Sequence, residues 1–319
     1  MQNKLTQLVK STGISGYETM GDIITAIQSL AGFPGEVFQG NLVYSVGKGK
    51  KTVFLSAHMD EVGFFVSQVS KTFVQLVPIG DIDIKDLAGE KLILAKNASV
   101  SKTIKPSKNF ATLKIFGFQD PAVGDICTFS KDIIVSNNFY QSACLDNRVS
   151  CLALIEVLGA LKNVKLPYRL IISFVGREEV SVNGLMSVVK KYQPDLCLDV
   201  DSAYALPVSK KKRNWQIPTL GKGPAIQLLG NGFIIPSEIR LWIEEVAQKA
   251  NLHFQYEIPG DNEGGTNART LISAGYQTAQ INIPVFNQHS AKSRVALTDI
   301  QNTTTLILEL LKNAERLLK

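Results

Sequence analysis

The chain has 319 residues, of which 45% are hydrophobic and 19% are charged, a composition typical of a globular protein with a sizeable core. No apolar run reaches the roughly 18–20 residues of a membrane span, and the first residues lack the apolar stretch of a secretory signal. We therefore expect a cytoplasmic protein with no membrane partner. The net charge of +6 is a modest excess that argues against a nucleic-acid binder and hints at acidic peptides.

The densest basic run is KKKR at residues 210–213, and we expect a solvated loop there rather than a binding patch. The cysteines show no Cys-x-x-Cys spacing, so we expect reduced core residues rather than disulfides or a zinc knuckle. They are Cys127, Cys144, Cys151 and Cys197.

The predicted secondary structure changes twice in the first half of the chain. Apolar residues at helical spacing predict a helix over residues 3–31, interrupted by a turn at residues 15–18, and short strands follow in NLVYSVG and TVFLSAH. From about residue 65 to residue 135, short β-type runs alternate with Gly, Pro, Asn and Asp, and no helical pattern appears. This segment predicts a small sheet or β-barrel.

After residue 143, helix and strand patterns alternate. Helices are predicted over residues 147–162, 182–192, 236–250 and 298–318, with strands in YRLIISFVG, DLCLDVD and QTAQINIPV. Such alternation is typical of a largely parallel sheet covered by helices on both faces, an α/β/α sandwich. We therefore predict one discontinuous α/β domain with a mixed, mostly parallel sheet, residues 1–64 and 136–319, and an inserted small β-barrel domain at residues 65–135.

Polar side chains follow several of these strands at their carboxyl ends, where open α/β sheets bind ligands. The candidates are His58, Asp60, Glu61, Asp146, Glu178, Glu179, Asp199, Asp201 and His289. Any one alone would more often be structural, but together they form a donor set suited to zinc, manganese or cobalt. Two histidines with several carboxylates, one of them bridging, could hold two ions.

The spacing of some of these residues in the sequence indicates that they have different roles. His58 and Asp60 lie two residues apart on a strand and so share a face, which would let Asp60 accept a hydrogen bond from the free ring N–H of His58. The adjacent side chains of Glu178 and Glu179 diverge, so one could ligate a metal while the other takes a proton from water. We expect Glu61 to be a structural partner of an arginine or backbone group.

Seven segments occur in an order that resembles the M42 family of metallo-aminopeptidases, over essentially the whole chain. They are SAHMDEVGFFV, ACLDNRVSC, FVGREEVSVNGL, LDVDSA, LGKGPAI, GGTNA and INIPVFNQHS. The resemblance implies a zinc-exopeptidase-like fold and metal ligands at His58, Asp146, Glu179, Asp199 and His289. It implies that Asp146 bridges the ions, Glu178 is the general base and Asp60 orients His58. Asp201 remains an alternative to Asp199.

The family resemblance also implies a function. We expect a dinuclear metal-dependent aminopeptidase that acts on short peptides, with zinc, cobalt or manganese as its ions, in a homo-oligomer between a dimer and a dodecamer. In relatives the inserted module helps subunits assemble. A metal-dependent amidase or deacylase of the same fold, or a non-catalytic relative, remains an alternative. The chain departs from the usual family pattern at Asn147, Arg177, Ser181, Asn267, Phe286 and Asn287.

Overall fold

Two large β-sheets, a two-stranded β-ribbon and the helices around them form the fold of this computed structural model. The structure describes residues 1–87, 90–101, 103–106, 112–180, 183–207, 216–259 and 266–318. The run at residues 210–213, Ser181 and Gly265 lie outside the described residues. None of the described helices combines the length and the apolar character needed to cross a membrane.

The helices within the described residues are α1 Gln2–Lys10, α2 Ile23–Ala31, α3 Leu145–Leu161, α4 Asn183–Tyr192, α5 Ser237–Lys249, α6 Asn267–Ser273 and α7 Leu297–Lys312. The strands are β1 Glu36–Phe38, β2 Asn41–Val46, β3 Thr52–His58, β4 Gly63–Val69, β5 Val74–Ile79, β6 Leu92–Leu94, β7 Ser99–Val100, β8 Thr103–Pro106, β9 Leu113–Phe116, β10 Ile126–Phe129, β11 Ile134–Ser136, β12 Phe139–Ser142, β13 Arg169–Val175, β14 Leu196–Tyr204, β15 Ala225–Gln227, β16 Leu229–Gly230, β17 Phe233–Ile234, β18 Gln255–Glu257, β19 Thr278–Phe286 and β20 Ser293–Ala296. The N-terminal helical pattern thus forms two separate helices.

The larger sheet has the strand order β1-β2-β13-β3-β14-β19-β20-β12-β11, with β15 paired to β19 and β18 paired to β15. Only β13-β3, β3-β14, β14-β19 and β15-β18 are parallel. The expected mixed sheet is therefore confirmed, but the expectation that it is mostly parallel is wrong, because the described parallel pairings lie at its centre and in β15-β18 only. Short connections such as β1-β2 and β19-β20 cannot hold a crossover helix, so these pairs are antiparallel.

Helices cover both faces of this sheet. The larger core combines buried residues of α1, α2, α3, α5 and α7 with Val53, Leu55 and Ala57 of β3. On the other face, α4 and α6 pack against Phe54 and Ile171. The centre of the sheet is thus apolar on both sides, and polar side chains are tolerated mainly where the strands end.

The smaller sheet is antiparallel, with the order β7-β6-β10-β4-β5-β9-β8, and encloses its own apolar cluster, including Phe64 and Phe129. Closure into a barrel is not confirmed, because β7 and β8 each pair with one neighbour within the described residues. Strand β11 pairs with β12 of the larger sheet, although it begins inside the predicted insert. The division into a discontinuous domain and an inserted domain remains a prediction.

Candidate metal centre and active site

Four neighbouring parallel strands, β13, β3, β14 and β19, bring the candidate side chains to one edge of the sheet. His58 is the last residue of β3, and the paired glutamates follow β13. Asp146 lies near the start of α3, where the backbone leaves helical geometry at Asp146 and Asn147. This break directs the Asp146 carboxylate towards the strand ends instead of along the helix.

The first cluster is centred on His58. Its Nε2 atom lies 3.1 Å from Asp146 Oδ1 and 3.3 Å from Asp201 Oδ1. The nearer carboxylate oxygen of Glu178 is 4.0 Å from the same nitrogen. His58, Asp146 and Asp201 thus present three donor atoms to one point, while Glu178 stands just outside them.

The second cluster shares Asp146 with the first. His289 Nε2 lies 3.1 Å from Asp146 Oδ2 and 3.3 Å from Glu179 Oε2. The two oxygens of Asp146 therefore face different histidines. A carboxylate in this position is placed to bridge two cations.

The donor set fits two divalent ions. Nitrogen and oxygen ligands at about 2.0–2.1 Å in a tetrahedral site lie roughly 3.3 Å apart, close to the separations in both clusters. Glu179 Oε1 is buried and has no hydrogen-bond partner among the described residues. A cation would satisfy such an atom, because a buried carboxylate oxygen left unpaired is costly.

The register of β14 places its two aspartates at different distances from His58. Asp199 pairs with Ser56 in the β14-β3 ladder, two residues before His58, and its Oδ1 accepts a hydrogen bond of 2.5 Å from Ser56 Oγ. Asp201, two residues further along the strand, reaches His58. The geometry favours Asp201 over Asp199 as a candidate donor, because only the residue nearer the carboxyl end of the strand is level with His58 and Asp146, and the ligand itself stays a prediction.

A backbone contact from the smaller sheet orients His289. Its Nδ1 lies 2.7 Å from the carbonyl oxygen of Asp81, just after β5. With Nδ1–H donating to this carbonyl, the lone pair of Nε2 faces the carboxylates, as metal ligation requires. The sequence offered no signal for Asp81, because a backbone carbonyl can come from any residue type.

Asp60 occupies a different place from the one expected. His58 Nδ1 and Asp60 Oδ1 are 3.6 Å apart, too far for a hydrogen bond. The Asp60 carboxylate instead accepts the backbone N–H groups of Glu178 and Glu179, each at 3.2 Å. Asp60 therefore fixes the turn that carries both glutamates and adds only an electrostatic influence on His58.

Glu18, which sequence reasoning noted only as part of a turn, supports the same segment. Its Oε1 accepts N–H groups from Gly16 at 2.9 Å and from Arg177 at 2.7 Å. Arg177 has a φ of 65°, so the chain turns sharply immediately before Glu178. Glu18 and Asp60 together hold three successive backbone N–H groups, those of residues 177–179. A buried acid in the ISGYE turn was the available signal.

The electrostatics of the site favour bound cations. Burial alone would lower the pKa of His58, but Asp201, Glu178 and Asp146 raise it well above its ordinary value. His289, despite burial, has its pKa raised to about 12 by Glu179 and Asp146. Burial raises the pKa of Glu178 well above the usual range, and the lowering effect of His58 does not cancel it. Excess carboxylates therefore stabilise positive charge at both histidines.

Glu61 is structural, as expected. It is fully buried and contacts Arg148 Nη2 at 3.2 Å, Lys131 Nζ at 2.9 Å and the Gly13 N–H at 2.9 Å. Burial would raise its pKa, but Lys131 and Arg148 outweigh this effect and lower it to about 2. The four cysteines are buried and unpaired, which confirms that expectation.

The model of the family described as M42 glutamyl aminopeptidase matches residues 40–112 and 120–306. The chain belongs to the M42 family. It is 26% identical to a glutamyl aminopeptidase of Lactococcus lactis, covering 96% of this chain and 94% of the relative. It is 23% identical to a lysyl aminopeptidase of Pyrococcus furiosus, covering 97% and 96%. The solved structure PhTET1-12s, a dodecamer, is 25% identical with a TM-score of 0.85, covering 98% of each chain. M42 enzymes are metal-dependent aminopeptidases, so this protein is a peptide-bond hydrolase.

The departures from the usual M42 pattern surround the clusters without removing a donor. Asn147 is fully buried, and its Nδ2 donates to the carbonyl of Val200 at 3.0 Å, a bond that aspartate could not donate. Asn267 is buried, and its side-chain amide lies next to Asp199, where it opposes the rise in the pKa of that carboxylate that burial causes. Arg177 contributes its backbone N–H to Glu18. The donor atoms thus remain while the groups behind them differ.

Proposed function

We propose that this M42 protein is a dinuclear metal-dependent aminopeptidase that removes N-terminal residues from short peptides, with Glu178 as its general base. The observation that carries the proposal is the position of Asp146, whose two oxygens each lie 3.1 Å from a different histidine. Structural ion pairs rarely place one carboxylate between two imidazoles that are each also faced by a second carboxylate.

His58 and Asp201 would hold one ion, His289 and Glu179 the other, and Asp146 both. Zinc suits this donor set best, and cobalt and manganese suit it as well. When bound, two such ions lower the pKa of water and polarise a carbonyl group. Asp60 and the Asp81 carbonyl then act by position, since they fix the glutamate turn and the His289 ring.

Glu178 is the residue placed to move the proton. Its carboxylate stands at 4.0 Å from His58 Nε2, next to the first cluster but outside both donor sets. It would accept a proton from the attacking water and deliver it to the leaving amine. Burial raises its pKa, and positive charge at the clusters opposes that rise, which is the balance a general base near neutral pH needs.

Two further properties are part of the proposal. Because a structural relative is a dodecamer, we propose a homo-oligomer whose enclosed site would restrict substrates to short peptides. We also propose a cytoplasmic location. The names of the relatives include both lysyl and glutamyl aminopeptidases, so they leave the preferred N-terminal residue open.

The test is hydrolysis of aminoacyl 4-nitroanilides and their N-acetylated forms by chelated protein and by protein resupplied with zinc, cobalt or manganese. We expect metal-dependent release from free-amine substrates only, and a loss of roughly 10²–10⁴-fold in kcat for Glu178→Gln. The variant must bind the same amount of metal, which separates loss of the base from loss of the ions. Equal hydrolysis of blocked substrates would favour an amidase instead.

A further inference from the structure

The cleft that contains both clusters extends well beyond them. Its volume is about 920 Å³, and its lining continues from His58 and Asp201 past Asn282 and Gln227 to Glu257. A cleft of this size can hold a whole amino-acid side chain beside the reacting groups. The residues that line the far end of the cleft, beyond the two clusters, are therefore candidates for contact with the substrate side chain.

Glu257 reaches this far end from β18. That strand pairs with β15, which pairs with β19, so Gln227 lies opposite Glu257 and Asn282 lies level with Asp201. The Glu257 Oε2 atom accepts a hydrogen bond of 2.6 Å from Asn282 Nδ2. Asn282 thus separates the Glu257 carboxylate from the metal clusters.

Glu257 has no cationic partner within the part of the chain that the structure describes. Its residue is only 7% exposed, and no described Lys, Arg or His nitrogen lies within ion-pair distance. Burial, partly offset by Asn282, raises its pKa to about 8. Buried carboxylates are normally paired with a cation, so a cationic ligand in the cleft would supply the partner that Glu257 lacks.

We infer that Glu257, with Asn282 and Gln227, binds the cationic side chain of an N-terminal lysine or arginine, an inference that rests on the proposed aminopeptidase function. The substrate α-amine is attached to the carbon next to the scissile carbonyl, so it must lie near the clusters. The carboxylates of the clusters are there to bind it, which leaves Glu257 for the side chain. Strand β18 is three strands from β14, but the Glu257 carboxylate is bonded to the side chain of Asn282 on β19, the neighbour of β14. The carboxylate therefore lies one strand spacing, roughly 5 Å, beyond Asp201. That separation suits the four-carbon stem of lysine.

Other side chains fit this end of the cleft less well. Thr266, Asn282 and Gln227 line this part of the cleft, and hydrogen bonds through Gln280 connect their side chains. Ile217, Pro218 and Pro259 also line the cleft and can contact an aliphatic stem, but an apolar side chain would leave the Glu257 carboxylate without a cation. A glutamate would meet Glu257, a like charge. The described lysine of the cleft, Lys292, is already paired with Glu90 at 2.6 Å.

The experiment compares L-lysyl and L-norleucyl 4-nitroanilides, whose side chains have similar length but differ in charge. We expect the wild-type metal-loaded enzyme to favour lysine at least tenfold in kcat/KM, and Glu257→Gln to remove that preference while keeping norleucine activity. Glu244→Gln is the matched control, because Glu244 is bonded to Arg240 and Tyr256 outside the cleft lining. It should leave the ratio unchanged.

Binding of the products gives a second readout. In calorimetry with the metal-loaded wild-type enzyme, free L-lysine should bind at least tenfold more tightly than L-norleucine. Norleucine hydrolysis without a lysine preference, or hydrolysis of other free-amine anilides only, would overturn the inference and leave the proposed function standing. No hydrolysis of any free-amine anilide with any of the three metals would remove the proposed function itself. An equal loss on both substrates in Glu257→Gln would assign this residue to the α-amine or to the fold and would also overturn the inference.

Discussion

Replacing each aspartate of β14 by asparagine tests how the metal centre is built. Asp201→Asn removes a charged donor 3.3 Å from His58 Nε2, whereas Asp199→Asn changes a group bonded to Ser56 one side-chain row below. Both variants keep the shape of the side chain. Burial and the charge of Asp201 raise the pKa of Asp199 to about 7, so a neutral asparagine there resembles its protonated form.

The expected magnitudes differ because the distances differ. Changing a group that only supports a metal ligand typically costs 10–100-fold in metal affinity, and loss of a ligand costs more. Asp199 touches neither His58 nor the Asp201 carboxylate by a hydrogen bond, and successive same-face residues on a strand lie roughly 6.6 Å apart. We expect at least about 100-fold weaker binding at one site in Asp201→Asn and less than about tenfold in Asp199→Asn.

Titration of chelated protein with zinc against a competing chromophoric chelator measures both affinities and the number of ions bound. The wild type should bind two ions, and Asp201→Asn should keep one tight site, formed by His289, Glu179 and Asp146. If Asp199→Asn lost an ion while Asp201→Asn kept both, the register argument would be refuted and Asp199 would be the ligand.

Three further outcomes follow from the buried carboxylates. Glu18→Ala should lower kcat about tenfold with metal content retained, because the variant leaves the Arg177 N–H without an acceptor. Glu18→Gln keeps an acceptor oxygen and should restore most of the lost kcat. An unchanged kcat in Glu18→Ala would contradict a role of Glu18 in positioning the glutamate turn. Glu61→Gln breaks a buried ion pair and should cost about 3–5 kcal/mol in urea unfolding, and a cost under about 1 kcal/mol would show that Lys131 and Arg148 do not depend on it. The pKa of Glu257 is raised from 4.5 to about 8, so its contribution to stability is fully present below pH 4.5 and is lost as pH rises towards 8. Chelated Glu257→Gln should therefore be more stable than the chelated wild type at pH 8, by up to about 5 kcal/mol in the free energy of unfolding. The two proteins should be equally stable near pH 4, and thermal unfolding at both pH values measures the difference.

The sequence predicted which side chains come together at the candidate site better than it predicted the pairing of the strands. Apolar runs that end in His58, Glu178 or His289 place these residues at strand ends whatever the strand order, and parallel strands then bring the ends together. The antiparallel pairings of β20, β12 and β15 depend on contacts between distant segments, which periodicity does not encode. The net positive charge hinted at acidic peptides, but charge counted over the whole chain says nothing about the sign of the cleft.

The residues that sequence reasoning missed act through contacts between segments far apart in the chain. Glu18 holds a turn 159 residues away, and Glu257 reaches Asn282 across β15. The choice between Asp199 and Asp201 depended on the register of β14 against β3, which a single strand cannot reveal. Residues two apart on a strand share a face and differ only in their distance from the strand's carboxyl end. The alternation of side chains between the two faces therefore could not distinguish Asp199 from Asp201.

The smaller sheet contributes to the site itself. The backbone carbonyl of Asp81, directly after β5, fixes the ring of His289, whose donor nitrogen faces Asp146 and Glu179. Lys131, which follows β10, pairs with Glu61 next to Asp60. The segment predicted as an insert therefore contacts one candidate ligand, His289, and the neighbour of Asp60. An insert that served assembly alone would not need these contacts, so the geometry ties formation of the second metal cluster to correct docking of the smaller sheet.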